Sequence, residues 1–144
     1  MKKNFKFLSA VFIALIFTSA GCKKDADKPL IELLLGRWEM QSAYYSYYEN
    51  GVKTGENYDT FGQNDIVYEF LKNGEGKIYE DGTFKISFSW SFEGESVVTL
   101  EKPDEVITGE ISIENNILNF TGSFTYSQSG INFEDVKMYT YKRI

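Results

Sequence analysis

Few side chains in this 144-residue chain are equipped for catalysis or metal binding. It has one cysteine, Cys22, and no histidine. Without histidine, His-based triads, imidazole metal sites and imidazole acid–base steps are excluded. One thiol cannot build a cysteine metal cluster. Carboxylates are plentiful, and a facing pair of them is how glycosidases cleave sugars. The adjacent acids Asp104-Glu105 and Glu134-Asp135, however, fall in or beside predicted turns, where solvated charge is expected. Asp59 to Asp65 offers oxygen ligands, but at a spacing unlike that of an EF-hand calcium loop. No glycine-rich phosphate cradle is present. The residue types therefore predict a non-enzyme with no metal and no cofactor.

Cys22 has a more telling context. Lys2, Lys3 and Lys6 precede an apolar run from Phe7 to Phe17, and Thr18-Ser19-Ala20-Gly21 leads to the cysteine. A basic start, a short apolar core and small residues before a cut site make a secretory signal. The run is well short of the ~20 residues a helix needs to span a bilayer. Ala20-Gly21-Cys22 resembles the lipobox of bacterial lipoproteins, with Ser19 where that pattern usually has Leu. The resemblance implies that residues 1–21 are removed and that Cys22 is lipidated. Acyl chains such as palmitate would then hold the protein on the membrane at about 0.8 kcal/mol per buried CH2. The other reading is an ordinary signal peptide cut near Ala20, which would leave a lone thiol in an oxidising compartment. Residues 22–29 continue as Lys23-Lys24-Asp25-Ala26-Asp27-Lys28-Pro29, a charged stretch with no large apolar group that reads as a tether. A Lys/Asp stretch here resembles surface-export signals of some Gram-negative lipoproteins. The expected address is the cell envelope, on either face of the outer membrane.

Removing residues 1–21 takes away three lysines and no acid, moving the formal charge from −6 to −9. Such acidity argues against nucleic acid as a partner. Residues 30–144 suit one domain with one core. Twelve Phe, ten Tyr and two Trp favour strands over helices.

The folded part is punctuated by turns. Leu30 to Leu35 predicts one helical turn ended by Gly36. From Arg37 the period becomes two: Trp38, Met40, Ser42, Tyr44 and Tyr48 share one face, and Arg37, Glu39, Gln41, Tyr45 and Tyr47 the other. Asn50-Gly51 predicts a turn, and Val52 to Asp65 reads as a polar loop with room for a strand extension. Ile66 to Leu71 and Lys77 to Tyr79 are short strands around Asn73-Gly74. Phe84, Ile86, Phe88, Trp90 and Phe92 then alternate with small or charged residues, predicting a half-buried strand. Further strands are predicted at Val97–Glu101, Ile107–Ile113, Ile117–Tyr126 and Glu134–Arg143. Eight strands joined by tight turns predict an all-β, antiparallel up-and-down barrel after a short helical turn, with a two-sheet β-sandwich as the alternative.

Gly36-Arg37-Trp38 at the first strand, eight antiparallel strands and a late Arg143 together resemble the lipocalin superfamily, in particular the lipocalin-like domains of bacterial lipoproteins. The resemblance implies structural roles for Gly36, Trp38 and Arg143. The Trp would plug one end of the barrel and the Arg would stack over it. It also implies a cavity for a small apolar ligand. The candidate lining is Tyr44, Tyr48, Tyr68, Phe70, Phe88, Trp90, Phe120 and Phe124, and the long loop supplies Tyr58 and Phe61 as a lid. Phe84, Phe92 and Tyr126 point inward by the same alternation. These bulky groups equally suit a barrel filled by its own side chains. In that case the protein is a structural or interaction lipoprotein that meets an envelope protein through Tyr45 and Tyr47 on its outside.

Overall fold

In the computed structural model, residues 28–144 are described. Helix α1 (Leu30–Leu34) is followed by nine strands: β1 (Gly36–Glu49), β2 (Val52–Thr60), β3 (Ile66–Phe70), β4 (Glu75–Glu80), β5 (Thr83–Glu93), β6 (Val97–Glu101), β7 (Val106–Glu114), β8 (Ile117–Gln128) and β9 (Ile131–Arg143). Strands β1 and β3 to β9 close an antiparallel eight-stranded barrel, because β1 pairs with β3 on one side and with β9 on the other. The sandwich alternative does not occur. Four turns place both central residues at positive φ: Asn50-Gly51, Asp81-Gly82, Asn115-Asn116 and Ser129-Gly130. That backbone twist matches the right-handed twist of the strands it joins.

Strand β1 has two partners in succession. Gly36 to Glu39 pair with β3, while Ser42 to Glu49 pair with β2. A bulge against β9 separates these halves: Met40 opposes Tyr141, Ser42 opposes Thr140, and Gln41 is the extra residue. An extra residue reverses which side chains face in. Trp38 and Met40 face inward, and beyond the bulge Ala43, Tyr45 and Tyr47 do, opposite Tyr139, Lys137 and Asp135. The segment read as a polar loop is thus largely strand β2. Its alternation is hidden because nearly every residue in it is exposed.

A second bulge lies between β4 and β5, where Ile78 opposes Ile86 but Tyr79 opposes Phe84. Phe84 is consequently turned outward, against Tyr79 on the barrel's exterior and not in its core.

One end of the barrel is plugged. Trp38 is completely buried, and its indole N–H donates to the Leu34 carbonyl at 2.7 Å. The Arg143 guanidinium lies 4.5 Å from the indole centroid and donates to the carbonyls of Leu33 and Leu35. A cation over an indole face is attractive, more so when desolvated. Gly36 does not cap the helix. It opens β1 at φ +112°, with Arg143 Nη1 3.6 Å from where a Cβ would sit.

Above this plug the core is aromatic. Phe92, Trp90, Phe70, Phe88 and Tyr68 form successive ring contacts with centroids 5.4 to 6.2 Å apart. The buried hydrophobic cluster is drawn wholly from residues between Leu34 and Tyr141, with partly buried neighbours back to Leu30.

The Phe88 ring lies over Gly76, where an added Cβ would come within 2.1 Å of it. Gly76→Ala is therefore expected to cost about 1–3 kcal/mol, measured as a lower urea midpoint. Adding Phe88→Leu should recover part of that loss, because the two changes share one contact. An additive double mutant would contradict this packing.

Candidate functional site

The barrel interior changes character along its axis. Near α1 the rings are Phe and Trp. Toward the opposite end they are tyrosines: Tyr68 meets Tyr141 at 5.4 Å, Tyr141 meets Tyr139 at 6.3 Å, and Tyr139 meets Tyr45 at 6.1 Å and stacks on Phe120 at 5.8 Å. Inward residues of β1, β3, β8 and β9 supply these groups, and the Gln41 bulge is what turns Tyr45 toward them.

Burial pushes the phenols of Tyr68, Tyr139 and Tyr141 up in pKa, reinforced by neighbouring tyrosines and, for Tyr68 and Tyr139, by Glu105. They stay neutral and able to donate. Tyr68 and Tyr141 are only 8% and 4% exposed. Neither hydroxyl has a hydrogen-bond partner among the described residues, and no sealed side-chain polar atom is left unpaired there. Both hydroxyls therefore reach open space at this end of the barrel.

A charged cluster sits at the same mouth. Glu105, at the turn between β6 and β7, pairs with Lys102 at 2.7 Å and with Lys137. Lys137 is on the inward face of β9, opposite Gly122, which is itself opposite Gly109. The Phe120 ring lies over the two glycines, close to where a Cβ on either would sit. An added Cβ on Gly109 would fall 2.5 Å from the Thr121 carbonyl. Burial raises the Glu105 pKa, but hydrogen bonds from both lysines outweigh it and hold the carboxyl below its usual range. With Asp104 in the same turn, the two lysines and two carboxylates balance, giving a charged but locally neutral cluster on a strongly acidic protein.

Of the expected lining residues, Tyr68, Phe70, Phe88, Trp90 and Phe120 are buried inside the barrel. Tyr44 and Tyr48 are not, because the bulge at Gln41 turns them outward. Tyr44 there bonds Glu56 at 2.6 Å and Lys53 at 2.8 Å. Phe124 lies on the inward-facing side of β8, but above the barrel, and is 60% exposed. Tyr58 is on β2 opposite Tyr44 and covers no opening. Phe61 packs on the core, its N–H donating to the Gln41 carbonyl at 3.0 Å, so it belongs to the wall and not to a lid. Tyr45, expected outside, faces in; Tyr47 is on the same side of β1 but above the barrel and is 40% exposed, as expected. Cys22 and the leader lie outside the described residues.

The paired acids do not converge. Glu134 and Asp135 are successive on β9 and point to opposite faces, and Glu105 is held by lysines while Asp104 is exposed. Buried Glu39 is on the exterior of β1 and accepts from the Asn64 N–H at 2.7 Å, fastening the 61–65 connection to the barrel wall. Among the described residues no three Cys, Asp or Glu gather closely enough to hold a metal. No family model matches the chain, and no curated protein matches its sequence.

The mouth residues that periodicity missed are Lys102, Glu105, Lys137 and Tyr139. Lys102 and Glu105 share one turn, and the β7-β8-β9 meander brings Lys137 to them.

Because its folded pKa is depressed, Glu105 contributes stability that is present above the unfolded value of about 4.3 and is lost as pH falls through the folded pKa. In urea unfolding at a series of pH values, the wild type should lose stability across that acid window. Glu105→Gln should start lower at neutral pH and show a shallower acid slope. Parallel pH profiles for the two proteins would remove Glu105 from this role.

Proposed function

We propose that this protein is a lipid-anchored lipoprotein of the cell envelope whose barrel, similar to those of lipocalins, binds a small, largely apolar molecule without acting as an enzyme. The observation that carries the reading is the graded interior. Phe rings and indoles whose N–H groups are spent on backbone carbonyls fill the plugged end, and the Tyr68 and Tyr141 hydroxyls, bonded to no side chain, reach open space toward the other. A mostly apolar surface with a few orienting polar groups is what a small-molecule site needs. The Lys102–Glu105–Lys137 cluster at the rim favours a ligand with a polar end. On this reading Cys22 carries the acyl anchor, residues 22–29 are the tether, and the barrel stands off the outer membrane on its periplasmic or outer side. A second reading, an accessory lipoprotein that contacts an envelope protein, is favoured by the exposed rings of Phe124 and Tyr126.

Native mass spectrometry of residues 23–144, purified gently from cells, tests the first reading. We expect a reproducible extra mass that is lost on denaturation and reduced by Tyr141→Phe, which keeps the ring and removes the hydroxyl. A clean apo mass, with no uptake of added fatty acids or hydrophobic dyes, would overturn the carrier role. The anchor is tested separately. Cells fed an alkynyl palmitate analogue should label the full chain, and Cys22→Ala should abolish the label. A labelled Cys22→Ala protein would refute lipidation at this position.

A further inference from the structure

Above the barrel, the outer halves of four strands continue as an open sheet in the order β2-β1-β9-β8. Its two edges differ. Strand β2 carries Lys53, Glu56 and Asp59, and charges along an edge discourage pairing with another chain. Strand β8 leaves β7 after Gly122, so Ser123 to Gln128 pair only with β9. From Thr121 to Asn132 there is no charged residue and no proline, and Ser123 through Gly130 are exposed.

The free backbone groups on that edge can be assigned. The Asn132 N–H and carbonyl both face β1, bonding Asn50 at 3.1 Å and 2.7 Å. Alternate residues of an antiparallel strand direct these groups to opposite sides, so those of Phe133 face β8. Its partner Tyr126 spends its backbone groups on β9. The Ser123 N–H still reaches back to the Thr108 carbonyl of β7, closing the last β7–β8 rung between Gly109 and Gly122. The Ser123 carbonyl and the N–H and C=O groups of Thr125 and Ser127 therefore point outward with no neighbouring strand.

The side chains on this edge are self-complementary. Ser123-Phe124-Thr125-Tyr126-Ser127 reads nearly the same in both directions. A twofold interface requires just this, since the same patch must match itself.

We infer that the outer half of β8 is a homodimerisation edge, pairing antiparallel with β8 of a second copy about Thr125. In this register Thr125 opposes Thr125 of the other copy and exchanges both backbone bonds with it, while the Ser127 N–H donates to the Ser123 carbonyl of the other copy. Phe124 of one copy lies beside Tyr126 of the other. Tyr126 already stacks on Phe133 at 4.9 Å, so each cross-seam row becomes three rings, Phe133, Tyr126 and Phe124. No like charges oppose one another along the seam. Two strongly acidic molecules thus meet along their uncharged strand, and two four-stranded sheets join into one.

Residues 23–144 contain no cysteine, so an introduced one reports the register. A hydrogen-bonded pair holds its Cα atoms about 5.5 Å apart, within disulfide range. Sedimentation of this fragment over a wide concentration range should show a species of twice the monomer mass. Thr125→Lys should abolish it while leaving the urea midpoint of the barrel unchanged, and Asn57→Lys on the opposite edge should not. Under mild oxidation Thr125→Cys should give a covalent dimer. This arm holds even if Thr125→Lys unfolds. A wild type that stays monomeric, a dimer that survives Thr125→Lys in a folded protein, or a Thr125→Cys chain that does not cross-link would each overturn the inference.

Discussion

The extra residue at Gln41 is the constraint on which the rest of the architecture depends. Below it, β1 belongs to the barrel, bonded to β3 and carrying Trp38 and Met40 inward. Above it, the strand's faces are exchanged and its partner becomes β2. One inserted residue ends the barrel wall, begins the projecting sheet and brings Tyr45 to the mouth beside Tyr139. A regular strand would instead have put Tyr44 and Tyr48 inside and left the mouth without its outermost phenol. The Gln41 carbonyl is also used, accepting from Phe61 where the chain returns from β2 to the barrel.

The barrel itself was legible because half-buried strands announce themselves by alternation, and because Asn-Gly, Asp-Gly and Asn-Asn pairs tolerate positive φ. Ile86, Phe88 and Trp90 in β5, and Ile107 and Ile111 in β7, face the core as their spacing predicts. The failures have two physical sources. Alternation is blind to bulges, so phase was lost after Gln41 and before Ile86, misplacing Tyr44, Tyr48 and Phe84. It also needs one buried face, and β2, wet on both, offers none. The charged cluster was illegible for another reason. Lys102 and Glu105 share a turn, but Lys137 lies on β9, and nothing local marks a turn carboxylate as the counterion of a lysine in the last strand.

The interior combines two demands. Stability comes from close-packed Phe and Trp near α1, where the Phe88 ring sits on the bare backbone of Gly76. The tyrosine end carries hydroxyls that no neighbouring side chain uses. Phenylalanine at Tyr68 and Tyr141 would keep the same ring packing, so the hydroxyls add a polarity at this end that the packing does not require. That asymmetry is why the barrel's open end, and not its outer wall, anchors the functional reading.

The seam between β1 and β9 carries a kinetic consequence. It joins the first strand to the last, and its final contacts are Arg143 on Trp38 and the Ile144 N–H on the Arg37 carbonyl at 3.1 Å. No local hairpin can substitute for this pairing, and contacts so distant in sequence are slow to form. The ring can shut only after the final residues have been delivered. Until then the chain's many aromatic side chains have no closed core to enter, a period in which it is most in need of protection from its own kind.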